Sequence, residues 1–286
     1  MKHPSYYQSP IPPVDRPDGR VPGEDILNLR SATRALRLHL DTLPVDYNLD
    51  YGPDSFLAGI SFNFARQRYG CAESLIGAGM GGVVLGGIAR SLFVEGLRWR
   101  WIAEDPAVRR RELLGDLLWE RNNVCEALRT NNVDLNNLAR WLMPIPPIAD
   151  LTGESLSWLD ALPFPADEAL LTDFLNAAER DPTVPLVKGP MGLLDAASLR
   201  GVILVLSFAG HGNFLGLQGC LTEEGQPGHD LRDVYEALYM HAAAAGVVAV
   251  LHGTAETVPE LWPSDVEKEQ FLAKAMAGAR EVAEAA

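Results

Sequence analysis

The sequence predicts an all-α protein, a single helical bundle with a proline-rich N-terminal arm and a long proline-broken connection. Three observations lead to this prediction. Apolar residues recur at helical spacing through most of the chain, acidic residues and prolines stand where helices would start or break, and no segment shows the period-two alternation of a half-buried strand. The chain has no internal repeat either, which argues against a solenoid.

Residues 1–23 form the predicted arm, because their many prolines are incompatible with a helix. We expect this segment to extend over the domain or over a neighbouring copy of the chain. In the second case the arm would join two copies in a homodimer. It lacks the continuous apolar segment of a signal peptide. The remaining residues, 24–286, are predicted to form one helical domain.

The first predicted helix begins at Glu24 and ends before Pro44, with leucines such as Leu29, Leu36 and Leu40 on one face. Residues 54–104 are predicted to be mainly helical, and a further helix starts near Pro106. Short helices follow to residue 142. The connection at residues 143–168 is rich in proline, which in a compact domain is typical of a lid or a pocket wall.

The C-terminal half is predicted to contain a helix over residues 167–180, an alanine-rich helix from residue 231 and a polar last helix. Two apolar segments, residues 201–208 and 246–253, have the composition of buried parallel strands as well. Periodicity does not separate a buried strand from a buried helix. Because each segment continues a helical pattern already under way, we predict helices.

Charge and cysteine content restrict the class of protein. The chain of 286 residues has a formal net charge of −14, which would repel the phosphates of nucleic acids, so no nucleic-acid partner is expected. Its three cysteines are far apart and include no C-x-x-C pair, which indicates a reducing cytoplasm. The uncharged run at residues 75–89 is too short for a membrane span, so no membrane association is expected.

A glycine-rich segment, Gly77–Gly82, matches the G-x-G-x-x-G spacing of dinucleotide-binding turns. That motif would make the protein an FAD or NAD(P) oxidoreductase, but it needs a buried strand before the first glycine, and Glu73 and Ser74 occupy that place. In a helix, the glycines would instead form rows of small residues with Gly86. Such rows allow either close helix packing or access of a substrate to the backbone, and a break near Gly77–Gly82 is expected in both cases.

Two polar clusters are candidates for chemistry. Arg90 and Glu95 follow the glycines, and Arg98 stands three residues after Glu95, within pairing distance on one helix face. Ser207 and His211 are four residues apart, with Asn213 just beyond. Each cluster also has a purely structural interpretation. The first would be a buried ion pair, and the second a capping serine beside an ordinary histidine. Trp99 is expected to fill core or to line an aromatic pocket.

The common metal-binding motifs are absent from the sequence. It contains no H-E-x-x-H, no Glu-x-x-His pair and no aspartate-rich D-D-x-x-D motif, and His241 and His252 are about 16 Å apart along one helix. We therefore expect no metal and no cofactor.

Two short motifs resemble a widespread family of bacterial all-helical domains that is distantly similar to HEPN-type bundles. The family's A-R-S-L-x-E motif corresponds to Ala89–Glu95, with one extra residue before the glutamate, and its L-S-x-x-x-H motif to Leu206–His211. The resemblance extends over residues 60–255 and implies an α-bundle, without naming a reaction. The arginine–histidine signature of HEPN ribonucleases does not occur clearly, and the glycine run is unusual for the family.

Together these features lead to a functional hypothesis. We expect a cytoplasmic, metal-independent enzyme of lyase, isomerase or cyclase type, acting on a small, largely apolar organic molecule. Arg90, Glu95, Ser207 and His211 would carry the acid–base chemistry in a pocket floored by Gly82 and Gly86. Arg98, Trp99 and Asn213 would contact the substrate. The alternatives are a non-catalytic binding or defence-associated HEPN-like module, and the dinucleotide-dependent oxidoreductase.

Overall fold

The computed structural model describes residues 24–43, 53–78, 82–109, 206 and 233–286. Within these ranges the chain is all-α: 91% of the residues are helical and none is in a strand. The α-helices are α1 (Glu24–Leu40), α2 (Pro53–Gly77), α3 (Gly82–Glu104), α4 (Asp233–Thr257) and α5 (Asp265–Ala285), with a short 3-10 helix at Pro259–Leu261. The arm at residues 1–23 and the proline-broken connection lie outside the described residues.

Helix α1 packs one apolar face against the bundle, as predicted. Leu29, Leu36 and Leu40 are all at most 1% exposed. Between them, the hydroxyl of Thr33 donates a hydrogen bond of 2.7 Å to the carbonyl of Leu29, which satisfies a polar group that would otherwise be buried alone. The helix ends at Leu40, ahead of Pro44.

Helices α2 and α3 occupy the segment in which the dinucleotide-binding motif would lie. Residues 53–77 are helical, so the buried strand that the G-x-G-x-x-G turn requires before Gly77 does not exist. The structural context that a dinucleotide-binding turn needs is therefore absent before Gly77. The expected break is present, because α2 ends at Gly77 and α3 begins at Gly82. Gly82 and Gly86 consequently belong to a different helix from Ser74, and the continuous row of small residues is interrupted.

Helix α4 is the central helix of the described bundle. Every residue from Ala242 to Leu251 is buried, and the segment 246–253 is helical, as predicted, because its backbone groups continue the hydrogen bonding of the preceding alanine-rich turns. By length and composition, Glu236–Thr257 would suffice to cross a membrane. In this fold 78% of its most apolar window is buried inside the protein, which is usual for a core helix.

The closest helix contact in the described residues joins α4 to α3. A Cβ atom added to Gly246 would lie 2.5 Å from the carbonyl carbon of Leu92, and one added to Gly253 would lie 2.7 Å from the backbone of Trp99. The two glycines are seven residues apart in α4, and the two residues that they contact are seven residues apart in α3. Residue numbers increase in the same direction along both helices, so α3 and α4 are parallel. Glycine is required here because any side chain would separate the two backbones.

Helix α5 closes the bundle against α1 and α4. Its N-cap is Ser264, whose side-chain oxygen accepts a hydrogen bond from the backbone N–H of Glu267, as N-cap serines do. Phe271 is buried and stacks on His39 of α1 with ring centroids 4.2 Å apart. The ring nitrogen Nε2 of His39 also lies 3.0 Å from the carbonyl oxygen of Phe271. These contacts fix α5 on α1.

Candidate functional site

One face of α3 is only partly covered, and it carries the first predicted polar cluster. Gly87, Ser91 and Arg98 share this face, since they stand four and seven residues apart. Arg90 and Glu95 border it on either side, about 140° apart around the helix and about 7.5 Å apart along its axis. All five residues are partly exposed. We call this surface, made of these five residues, the open face of α3.

Glu95 is held in position by two donors from the following turn of α3. The guanidinium of Arg98 donates a hydrogen bond of 3.3 Å to its Oε2, and the indole N–H of Trp99 donates one of 3.2 Å to its Oε1. The side chains of Glu95 and Arg98 are 19% and 24% exposed. The predicted ion pair is therefore present. Together with the indole of Trp99 it orients both carboxylate oxygens of Glu95, while the side chain stays partly exposed.

Trp99 takes part in this arrangement from the protein interior. Trp99 is 1% exposed and belongs to the hydrophobic core, so it contacts Glu95 from the core and is not itself part of the open face. Of the two alternatives, core filling or pocket lining, the structure shows the first. A rigidly packed indole is a well-oriented donor, because its hydrogen-bonding direction is set by the core.

Arg90 differs from Arg98 in having no counter-ion among the described residues. Its Nε atom is buried and has no hydrogen-bond partner. A guanidinium is costly to remove from water unless something compensates its charge. Within the described part of the chain, the positive charge of Arg90 at the border of the open face opposite Glu95 is not compensated.

The glycines of α3 have different surroundings. Gly86 is buried, whereas Gly87 is partly exposed and a Cβ atom added to it would meet nothing within 4 Å. Gly82 is the first residue of the helix. Open space beside the backbone is therefore present at Gly87, between Arg90 and Glu95. That Gly82 and Gly86 form the floor of a pocket stays a prediction.

The second predicted cluster lies outside the described residues. Ser207, His211 and Asn213 are not described, although the neighbouring Leu206 is helical and 1% exposed. Whether these side chains approach Glu95 stays a prediction of the sequence.

Two partly buried histidines, His241 and His252, lie on α4. Burial lowers the pKa of His241. Burial, reinforced by the charge of Arg100 and opposed by the backbone of Leu272, lowers the pKa of His252 to about 4. Both imidazoles are therefore neutral near pH 7. Among the described ranges there is no group of three or more histidine, cysteine, aspartate or glutamate side chains that could hold a metal ion.

One polar contact was missed by the sequence analysis. Arg100 of α3 donates hydrogen bonds of 2.8 and 2.9 Å to the two carboxylate oxygens of Glu256 on α4. The two residues are 156 positions apart, so no local spacing could indicate the pair. It ties the C-terminal ends of the two helices together, next to the close approach at Gly253.

Comparison of the chain with models of protein families, with curated proteins and with solved structures found no match.

Proposed function

We propose that the protein is a metal-independent enzyme that transfers protons on a small, largely apolar organic molecule bound at the open face of α3. Glu95 would be the general base. The observation that supports this most is the placement of its carboxylate: both oxygens are oriented by Arg98 and Trp99 at 3.3 and 3.2 Å, yet the side chain stays 19% exposed. A general base needs this combination of fixed geometry and access.

The neighbours of Glu95 fit the same role. Gly87 leaves space beside the backbone at the middle of the face, and Val84, 63% exposed one turn earlier, provides an apolar surface for the rest of the molecule. Ser207 and His211 would supply the second proton-transferring group, as the sequence suggests. The reaction type would be a lyase, isomerase or cyclase step, because these need proton transfer and no electron carrier.

A solvent-exchange assay tests the proposal without knowledge of the substrate. The purified protein would be incubated in D2O with an extract of small metabolites and EDTA, and deuterium incorporated at carbon would be measured by mass spectrometry. Wild-type protein is expected to label one compound or a chemically related group of compounds. Glu95→Gln should lower the labelling rate by a factor of about 10²–10⁴, which is typical for loss of a general base.

Glu104→Gln is the matched control, because Glu104 is a carboxylate on the same helix that pairs with Arg109 at the exposed end. It should label at the wild-type rate. If Glu95→Gln also labels at the wild-type rate, Glu95 is not the base. If wild-type protein labels nothing, the proton-transfer proposal fails.

The second candidate is a non-catalytic binding or interaction module of the HEPN-like kind. The feature that favours it is the Glu95–Arg98 pair itself, since an i,i+3 ion pair on a helix is also a common structural element. In that case Glu95→Gln would lower the melting temperature and the protein would label no compound.

A further inference from the structure

We propose that Arg90 binds an oxyanion group, a carboxylate or a phosphate, of a small molecule that lies on the open face of α3. This inference deepens the proposed function by naming the chemical class of the ligand. The inference rests on the proposed function only for the place where the ligand binds. Binding of an anion at Arg90 without any reaction would also agree with the inference.

Arg90 differs from other arginines of the protein that have a buried Nε atom. Five arginines have a buried Nε atom without a hydrogen-bond partner: Arg30, Arg66, Arg90, Arg98 and Arg100. Four of them have partners for other atoms; for example, Arg66 pairs with Asp41 at 3.2 Å. Of these five arginines, Arg90 alone has no partner among the described residues. Because an unpaired, partly desolvated guanidinium destabilises a folded protein, its presence at this position is explained by a ligand that supplies the missing charge.

The charges of the open face fit a monoanionic ligand group. Arg98 and Glu95 neutralise each other, so Arg90 contributes the only uncompensated charge of the five residues that make up this face. A guanidinium presents parallel N–H donors that match the two oxygens of a carboxylate or phosphate. Arg90 would therefore hold the anionic end of the molecule, with the space at Gly87 beside it and Glu95 at the opposite border.

The first arm of the test removes the charge without any ligand. Arg90→Met retains most of the aliphatic length of the side chain and removes the guanidinium. In a chloride buffer we expect its melting temperature to rise by about 2–4 °C, the change that about 1 kcal/mol produces in a protein of this size. Arg34→Met, which removes an exposed arginine of α1, is the matched control and should leave the melting temperature unchanged.

The second arm measures anion binding. Melting temperatures would be compared in chloride, acetate and inorganic phosphate at equal ionic strength and pH 7. Wild-type protein, Arg34→Met and the charge-conserving Arg90→Lys should be stabilised by acetate or phosphate relative to chloride, because a ligand that binds only the folded state raises its stability. Arg90→Met should lose this stabilisation. Whichever of acetate and phosphate has the larger effect identifies the class of oxyanion.

Two results would overturn the proposal. If Arg90→Met melts below wild type or fails to fold, the guanidinium has a structural partner. If the effect of both anions is the same in wild type and Arg90→Met, no anion binds at Arg90. The anion effect is measured on Arg90 variants with Glu95 intact, and labelling on Glu95 variants with Arg90 intact, so failure of catalysis and failure of anion binding are separately visible.

Discussion

Replacement of Gly246 by alanine tests the packing on which the whole bundle depends. The new Cβ would lie 2.5 Å from the carbonyl carbon of Leu92, 2.6 Å from its oxygen and 2.7 Å from the nitrogen of Phe93. All three are backbone atoms and do not move away by a change of rotamer. Since Cβ contacts closer than 3.4 Å are already tight, α3 and α4 must separate locally by about 1 Å.

The expected cost follows from two opposing effects. Overpacking of a well-packed core typically costs about 1–3 kcal/mol, and alanine in a helix interior recovers about 1 kcal/mol relative to glycine. Because backbone atoms form the whole contact, we expect overpacking to dominate, with a net loss of up to about 2 kcal/mol in the free energy of unfolding. At about 2–4 °C per kcal/mol, the melting temperature should fall by up to about 4–8 °C.

Gly87→Ala is the matched control for this experiment. It makes the same chemical change in the partner helix, where the new methyl group would meet nothing within 4 Å, so only the gain in helix propensity remains and stability should rise by up to about 1 kcal/mol. Urea unfolding followed by circular dichroism at 222 nm would give both values. If Gly246→Ala is as stable as Gly87→Ala, the close approach of α3 and α4 is not what the structure indicates.

Three further predictions concern polar groups. The free energy of unfolding should decrease as the pH falls from 6.5 to about 4, by up to about 3 kcal/mol from His252 alone. In this pH range His252 is protonated in the unfolded chain and neutral in the folded protein. Denaturation curves of His252→Gln at several pH values should therefore show a smaller loss of unfolding free energy than those of the wild type. Glu256→Gln should cost about 1–2 kcal/mol, because it weakens the ionic partner of the buried Arg100, and a double-mutant cycle with Arg100→Met should give a coupling energy well above zero. Ser264→Ala should lower stability by about 1 kcal/mol through loss of the N-cap of α5, whereas Ser264→Asp should retain it; equal melting temperatures for the two variants would contradict the capping role.

The helices themselves could be predicted from local signals. Leucines at helical spacing and Pro44 defined α1, and the alanine-rich pattern before Gly246 correctly favoured helix over strand for the apolar segment that follows it. The break between Gly77 and Gly82 was predicted for the same kind of reason, because several glycines in succession weaken a helix whatever surrounds them. Residues close together in the sequence determine where these helices form and break, so the sequence alone is enough to predict them.

The candidate site was predictable only in part. The Arg98–Glu95 pair follows from a spacing of three residues and is present at 3.3 Å. The absence of a partner for Arg90 among the described residues and the open space at Gly87 could not be predicted, because both depend on what the other helices leave uncovered.

The sequence by itself therefore determined the fold class, the first helix, the break between α2 and α3 and one local ion pair, since hydrogen bonds and contacts within a few residues decide them. The tertiary structure decided which glycines are packing sites and which are open. It also decided the pairing of Arg100 with Glu256 across 156 residues. Such features arise only when two distant helices meet, because burial and charge compensation are properties of the assembled surface and not of the chain order.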